Sequence, residues 1–534
     1  MKKMLGVMLD CSRNAVMNTD AVKQYAYILK QMGYNTVMLY TEDTYEVDNQ
    51  PYFGHLRGRY TKEELKEIDA YCVKIGIELI PCIQTLAHLN CIFRWRTVYG
   101  DMNDCDDILL ADDENTYKLI DDMLSTLSEC FTSRKIHIGM DEADRVGTGM
   151  YRYIHGDRDR FDIINRHLHK VCDIAGKYGL EPIIWSDMFL RLAVDSNDYY
   201  KSADISSIRK RANLPENIGL VYWDYYTTDY NRYVDMINAN KAFDREVYFA
   251  GGAWTWKGFA PDNNYSMETT KVALEACRDC GVDNILFTVW GDDGNECSKF
   301  AVLPALMYAA EYLNGNTDMD SIKAKFKKIT GVDFDSFMLL DALDTPGGGH
   351  VPGPLSEHKF TPSKYLFYND SFMGLNDWRC SAEDNEYYSR LAEKLESVDG
   401  GDFAPVFQSF CALARVLAVK SDIGVRTRKA YLCRDMTEIK ELIEEYGEVI
   451  VRIQEFHSIY RNMWFMENKP HGFDVQDMRI GGVVGRMISC KERLESLLNG
   501  SVSSIPELEE PVLQSEPGPT WSRMFTPNAV THRL

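Results

Sequence analysis

Four times along the chain, a stretch whose apolar residues recur every three or four positions ends at a glycine and opens straight into a short apolar run. The glycines are Gly33, Gly76, Gly179 and Gly281, and the runs cover residues 34–40, 77–83, 180–185 and 282–290. The apolar stripes are Ala21, Tyr25, Ile28 and Met32, then Leu65, Ile68, Cys72 and Ile75, then Ile120, Leu124, Leu127 and Phe131, then Ile164, Leu168, Val171, Ala175 and Tyr178. Their spacing is that of helices with one face on a core. A glycine past the last helical residue accepts the left-handed conformation that ends a helix, so each junction predicts a helix leading into a strand. Thr61 followed by Glu64 predicts a capping box at the start of the second helix. Short apolar runs at 4–9, 135–139, 218–222 and 247–250 bring the strands to eight. Strand and helix alternating eight times over roughly 310 residues predict an α/β fold, a (β/α)8 TIM barrel.

The rhythm is lost near Asp318. We assign residues 1–317 to the barrel and 318–380 to a linker and connecting segment that holds a loop rich in glycine and proline at 345–354. Residues 381–534 are expected to form a mostly α-helical C-terminal domain, because 384–395, 404–418, 437–461 and 484–498 carry helical periodicity without alternating strands. The tail after Ser501, with Pro506, Pro511, Pro517 and Pro519, is expected to be irregular or partly extended. Length agrees with this division, since 534 residues exceed one ordinary core while a barrel takes about 250.

Charge narrows the partners. With 81 acidic against 59 basic residues and a net charge of −22, the chain would repel nucleic acid and anionic membranes, so a neutral substrate is expected. The apolar stretch before Asp10 is too short for a signal peptide, and no run approaches the roughly 20 apolar residues of a membrane helix. A cytoplasmic location follows as an expectation, with the 14 cysteines mostly reduced. Cys277 and Cys280 lie in a helical stretch with no second pair nearby, and His167 and His169 point in different directions, so neither a metal nor a cofactor is expected.

Barrels of this kind keep their chemistry at the C-terminal ends of the strands. Those ends read, in order, Asp10 and Arg13; Glu42 and Asp43; Gln84 and His88; Asp141 and Glu142; Trp185 and Asp187; Trp223, Asp224 and Tyr225; Trp254 and Trp256; Trp290, Asp292 and Asp293. Five of the nine tryptophans thus gather at the ends of strands five to eight, opposite a pair of adjacent carboxylates. A pyranose presents C–H groups to aromatic faces while its hydroxyls need charged or amide partners, so this mixture suits a carbohydrate pocket.

The six residues His137-Ile138-Gly139-Met140-Asp141-Glu142 carry a family resemblance. His-x-Gly-x-Asp-Glu resembles the signature of glycoside hydrolase family 20, the β-N-acetylhexosaminidases, and Met140 in place of the more usual second glycine resembles its hexosaminidase D branch, which also lacks the small β domain that often precedes the barrel. The resemblance covers about residues 4–314. It implies cleavage of terminal β-linked N-acetylglucosamine or N-acetylgalactosamine by a retaining mechanism in which the substrate's own acetamido oxygen is the nucleophile. Glu142 would then be the acid and base, and Asp141 would hold the acetamide N–H and offset the charge of an oxazolinium intermediate. Trp185, Trp223 and Trp290 would box the acetamido group, with Trp254 as a further wall and Tyr225 as donor to its carbonyl. Arg13 and Asp292 would bind outer hydroxyls, and His88 has a family counterpart after strand three. Two rival readings stand beside this one: a sugar-binding barrel without catalysis, and a β-glycosidase whose nucleophile is Asp187 or Asp292. The helical domain carries no motif tied to chemistry and is expected to pack on the barrel or on a second subunit, which leaves a homodimer open.

Overall fold

The computed structural model describes residues 4–194, 208, 209, 211–346 and 361–512. Among them, eight parallel strands close in sequence order: β1 Met4–Asp10, β2 Thr36–Tyr40, β3 Glu78–Cys82, β4 Lys135–His137, β5 Glu181–Trp185, β6 Gly219–Trp223, β7 Glu246–Gly252 and β8 Asn284–Val289. Strand β8 pairs back onto β1, with Leu5 opposite Ile285, so the sheet has no edge. Each strand is followed by a helix: α1 Thr19–Met32, α2 Lys62–Ile75, α3 Glu114–Cys130, α4 Arg160–Lys177, α5 Asp187–Val194, α6 Tyr230–Lys241, α7 Asn263–Cys280 and α8 Leu303–Leu313. The (β/α)8 expectation holds. Gly33, Gly76 and Gly281 cap their helices in the left-handed conformation, and the Thr61–Glu64 capping box is complete.

The barrel is filled, not hollow. Met8, Met38, Ile80, Ile183, Val221 and Leu286 point inward and pack across the axis, with Trp185 closing the layer at the C-terminal end. A second core lies between strands and helices, where residues such as Leu29, Leu124, Leu168 and Ile237 are buried. Each contributes about 1.5–3 kcal/mol by leaving water.

The loops after β3 and β4 depart from the simple alternation, the one after β4 by an added short helix, Met150–His155. The loop after β3 carries two short helices, Asn90–Phe93 and Arg96–Tyr99, and an antiparallel hairpin of Asn103–Cys105 with Ile108–Leu109.

Beyond the barrel the chain is helical: α9 Met319–Thr330, α10 Pro362–Tyr368, α11 Asp384–Glu396, α12 Ala404–Lys420, α13 Ile423–Cys433, α14 Met436–Glu467 and α15 Phe473–Leu498. The last two are much longer than their sequence stripes. Residues 318–380, expected as a connecting segment, supply α9 and α10 and bury Phe326, Phe337 and Phe367. Part of the expected 345–354 loop lies outside the described residues, as do Pro517 and Pro519 of the tail, while Pro506 opens a single helical turn, Pro506–Glu509. Contrary to the expectation that no run is apolar enough to span a membrane, Gly401–Cys433 reaches that length and composition; here it breaks into separate helices, and most of its most apolar stretch is buried in the fold.

Barrel and helical region share one core. The ring of Phe259, after β7, packs against Phe367, Tyr368, Phe456 and Tyr460 at centroid distances of 5.5–6.2 Å.

Candidate active site

The turn after β4 sets the paired acids. Gly139, Met140 and Glu142 all have positive φ, at 73°, 70° and 52°. For the two that are not glycine this costs about 1–2 kcal/mol each, strain of the kind that collects at functional sites. The Gln84 side chain holds the turn. Its Oε1 accepts the Met140 N–H at 3.0 Å, and its Nε2 donates to Asp141 Oδ1 at 2.7 Å and to the Tyr40 hydroxyl at 2.9 Å. A Cβ at position 139 would lie 2.1 Å from Gln84 Oε1, so only glycine fits there. Met140 is buried, and the Glu142 N–H donates to Asp187 Oδ2 at 3.1 Å. Adjacent residues thereby face one pocket, Asp141 at 13% side-chain exposure and Glu142 at 42%.

Charge is unevenly shared among the acids. His88 Nε2 lies 3.2 Å from Asp141 Oδ2 and 3.6 Å from Glu142 Oε2. Burial alone would lower the His88 pKa, but the Asp141 carboxylate outweighs it and raises the imidazole to about 9. Burial pushes Asp141 in the other direction, yet His88 and the Gln84 amide hold it below the usual carboxylate range. Asp187 is 6% exposed, and burial together with the Asp141 charge raises its pKa well above a normal carboxyl. Near neutral pH the cluster therefore holds a charged His88–Asp141 pair and a protonated Asp187. His137 is driven by burial to about 3 and stays neutral; its Nδ1 accepts the Gly139 N–H at 3.1 Å and its ring lies 4.4 Å from Trp185.

Arg13, His88, Asp141, Glu142, Trp185, Trp223, Tyr225, Tyr226, Trp290 and Asp292 line a single cleft of about 450 Å³. Nine of the ten expected site residues are among them. Arg13 Nε lies 3.4 Å from Asp292 Oδ1 and its Nη1 3.6 Å from Glu42 Oε1. The Trp223 and Tyr225 rings stack at 5.3 Å, and Trp185 and Trp290 lie 6.3 Å apart. Trp254 differs from expectation: it stands behind the lining, stacked on Trp256 at 4.4 Å, and its Nε1–H donates to the Tyr225 carbonyl at 3.1 Å. It supports a wall and is not one. Tyr226, beside the expected Tyr225, also reaches the cleft. Gln84, Glu42 and Asp187 were visible as strand-end residues, but nothing in the sequence showed how they brace the turn and Arg13. The Asp293 side chain lies outside the described residues.

Two family models match the chain. A model described as the glycosyl hydrolase family 20 catalytic domain matches residues 5–279, and one described as the glycoside hydrolase 20C C-terminal domain matches residues 335–524. Hexosaminidase D of Bos taurus is 23% identical over 247 residues, which are 44% of this chain and 64% of that protein. Hexosaminidase D of Homo sapiens is 22% identical over 212 residues, 37% of this chain and 40% of that one. The chain thus spans less than two thirds of the length of either relative. A solved β-N-acetylhexosaminidase from Bacteroides fragilis overlays on 67% of this chain and 74% of its own, with 18% identity and a TM-score of 0.48.

Proposed function

The chain belongs to glycoside hydrolase family 20, and from that premise we propose that it is an exo-β-N-acetylhexosaminidase that removes terminal non-reducing β-linked N-acetylglucosamine or N-acetylgalactosamine by substrate-assisted, retaining catalysis. The observation that carries this reading is the placement of the acids, with Asp141 and Glu142 side by side on one cleft and Asp187 braced against the Glu142 backbone. A glycosidase with a protein nucleophile needs a second ionised carboxylate facing the anomeric carbon, about 5 Å from its acid. Asp187 is protonated near neutral pH and accepts the Glu142 N–H from behind, while Asp292 is paired with Arg13. The nucleophile is then the acetamido oxygen of the substrate.

In the first step Glu142 gives its proton to the glycosidic oxygen as the C1–O bond breaks, and the acetamido oxygen bonds to C1 to form an oxazolinium ion. Asp141, held charged beside His88, accepts the acetamide N–H and offsets the new positive charge. Water then attacks C1 as Glu142 takes its proton, the ring opens, and the configuration at C1 is retained. Trp185, Trp223 and Trp290 enclose the acetamido methyl, Tyr225 with Tyr226 beside it donates to the carbonyl oxygen, and Arg13 and Asp292 take neighbouring hydroxyls. The buried Trp185 floor gives the terminal sugar a surface to seat on.

The test is release of nitrophenol from the β-N-acetylglucosaminide, the β-N-acetylgalactosaminide and the plain β-glucoside, side by side at neutral pH. Cleavage of an acetamido sugar without the glucoside is expected. Comparable glucoside cleavage would move the reaction to a protein nucleophile, and a wholly inert enzyme that still binds sugar would make the barrel a binding module.

A further inference from the structure

Arg13 and Asp292 lie on different loops, after β1 and after β8, and neither loop is fixed by the barrel alone. The Gly294 carbonyl, two residues past Asp292, accepts from Asn14 Nδ2 at 3.2 Å and from Gln476 Nε2 at 2.7 Å. Asn14 adjoins Arg13, and Gln476 sits in the first turn of α15 in the helical region. One oxygen thus joins both loops to the second domain. Asn14 Nδ2 also donates to the carbonyl of Gly472, the residue that opens α15, at 2.9 Å.

Behind this joint lies a buried ion cluster. Glu296 and Arg479 are 1% and 0% exposed, with Arg479 Nη1 donating to Glu296 Oε1 at 2.8 Å. Lys364 Nζ lies 2.7 Å from Glu296 Oε2, the Tyr368 hydroxyl donates to Oε1 at 2.9 Å, and the Tyr460 hydroxyl donates to the Glu296 carbonyl at 3.0 Å. All four partners come from beyond the barrel. Burial would raise the Glu296 carboxyl, but Lys364 and Arg479 hold it below its ordinary range. A Cβ at Gly294 would lie 2.3 Å from Arg479 Nη1, so the guanidinium also braces the loop backbone directly. Apolar residues would hold two domains together at least as well as buried charges do. What the charges and directed hydrogen bonds supply is a fixed position for the β8 loop.

We propose that the helical region is a positioning element of the active site, in which Gln476 and Arg479 set the spacing of Asp292 from Arg13 and thereby the reading of the sugar's 4-hydroxyl. The proposal rests on the function proposed above. The 4-hydroxyl stands across the ring from the anomeric carbon and is where the gluco and galacto epimers differ. Gln476 and Arg479 touch no substrate; they act through the Gly294 carbonyl and Glu296.

The experiment compares full-length wild type, Gln476→Met and Arg479→Lys on nitrophenyl β-N-acetylglucosaminide and its 4-deoxy analogue, with thermal midpoints measured alongside. Removing the 4-hydroxyl should cost the wild type about tenfold or more in kcat/KM, as expected for a hydrogen bond to a charged group. Gln476→Met keeps side-chain volume and the ion cluster, so it should fold, raise KM more than it lowers kcat, and shrink the 4-hydroxyl effect at least about threefold. Arg479→Lys keeps a charge opposite Glu296 and should shift the same ratio less; it carries the comparison if Gln476→Met does not fold. An unchanged 4-hydroxyl effect in the folded variants would reduce the helical region to packing and overturn the proposal. A wild type that cleaves no acetamido glycoside would instead overturn the function on which it rests.

Discussion

Asp141 and Asp187 are the same residue type in one cluster, yet their surroundings assign them opposite protonation. Asp141 has His88 at 3.2 Å and the Gln84 amide at 2.7 Å, whereas for Asp187 burial and the charge of Asp141 outweigh one backbone N–H and the Arg191 guanidinium. Replacing each by asparagine separates the two. On the proposed mechanism, Asp141→Asn should lower kcat/KM more than about tenfold, corresponding to about 1.4 kcal/mol of transition-state stabilisation, because it removes the charge assigned to offset the oxazolinium. Asp187→Asn keeps an oxygen for the Glu142 N–H and replaces a group already neutral, so it should stay within about threefold. Loss of activity in Asp187→Asn comparable to that of Asp141→Asn would restore it as a candidate nucleophile. His88 gives a pH window. Its folded pKa of about 9 lies above the ordinary value of about 6.5, so its stabilising pairing with Asp141 is fully present below about 6.5 and is lost as pH rises through about 9. In urea unfolding, the stability gap between wild type and His88→Gln should be widest near pH 6 and narrow by pH 9.5; a gap that does not change would mean that the imidazole is neutral throughout.

At the scale of elements, four strands were legible because a glycine-ended junction states where a helix stops and where buried backbone begins, and the other four because their short runs are largely apolar. The hairpin at 103–109 was not, since its strands are only two or three residues long and Asn103, Asp104, Asp106 and Asp107 read as loop. Helix α15 was half legible: Gly481, Gly482 and Gly485 broke its stripe, and packing against α14 overrides their low propensity. The strand-end residues singled out in the sequence reach one cleft, because barrel geometry fixes their direction, whereas Trp254 on the loop after β7 does not line it. There Ser266 Oγ and the Tyr225 carbonyl tie Trp254 away from the cleft. The turn after β4 supports a further prediction. Met140 occupies a left-handed position that glycine would fill without strain, so Met140→Gly relieves about 1 kcal/mol. It also removes a side chain only 1% exposed, at about 2–5 kcal/mol. The second effect is larger, and urea denaturation should show a net loss of about 2 kcal/mol. A stabilised variant would mean that the thioether packs poorly and the strain dominates.

The whole molecule behaves as one cooperative body if its core is as continuous as the ring stack of Phe259, Phe367, Tyr368, Phe456 and Tyr460 implies. Full-length protein should melt in a single calorimetric transition, and the fragment 1–317 should be poorly soluble and bind hydrophobic dye, because Phe259 and Phe300 lose the rings that cover them. Two separated transitions would show that the barrel stands without the helices. The packed barrel interior has a kinetic corollary. On the proposed function, a cleft floored by the packed barrel offers no passage along the barrel axis, so after each cut the shortened glycan and the freed sugar leave at the rim before the next chain end can enter. Degradation is then distributive. On a short β-linked N-acetylglucosamine oligomer, products shorter by one unit should accumulate in succession early in the time course, and direct appearance of monosaccharide from each oligomer without those intermediates would require an exit other than the rim.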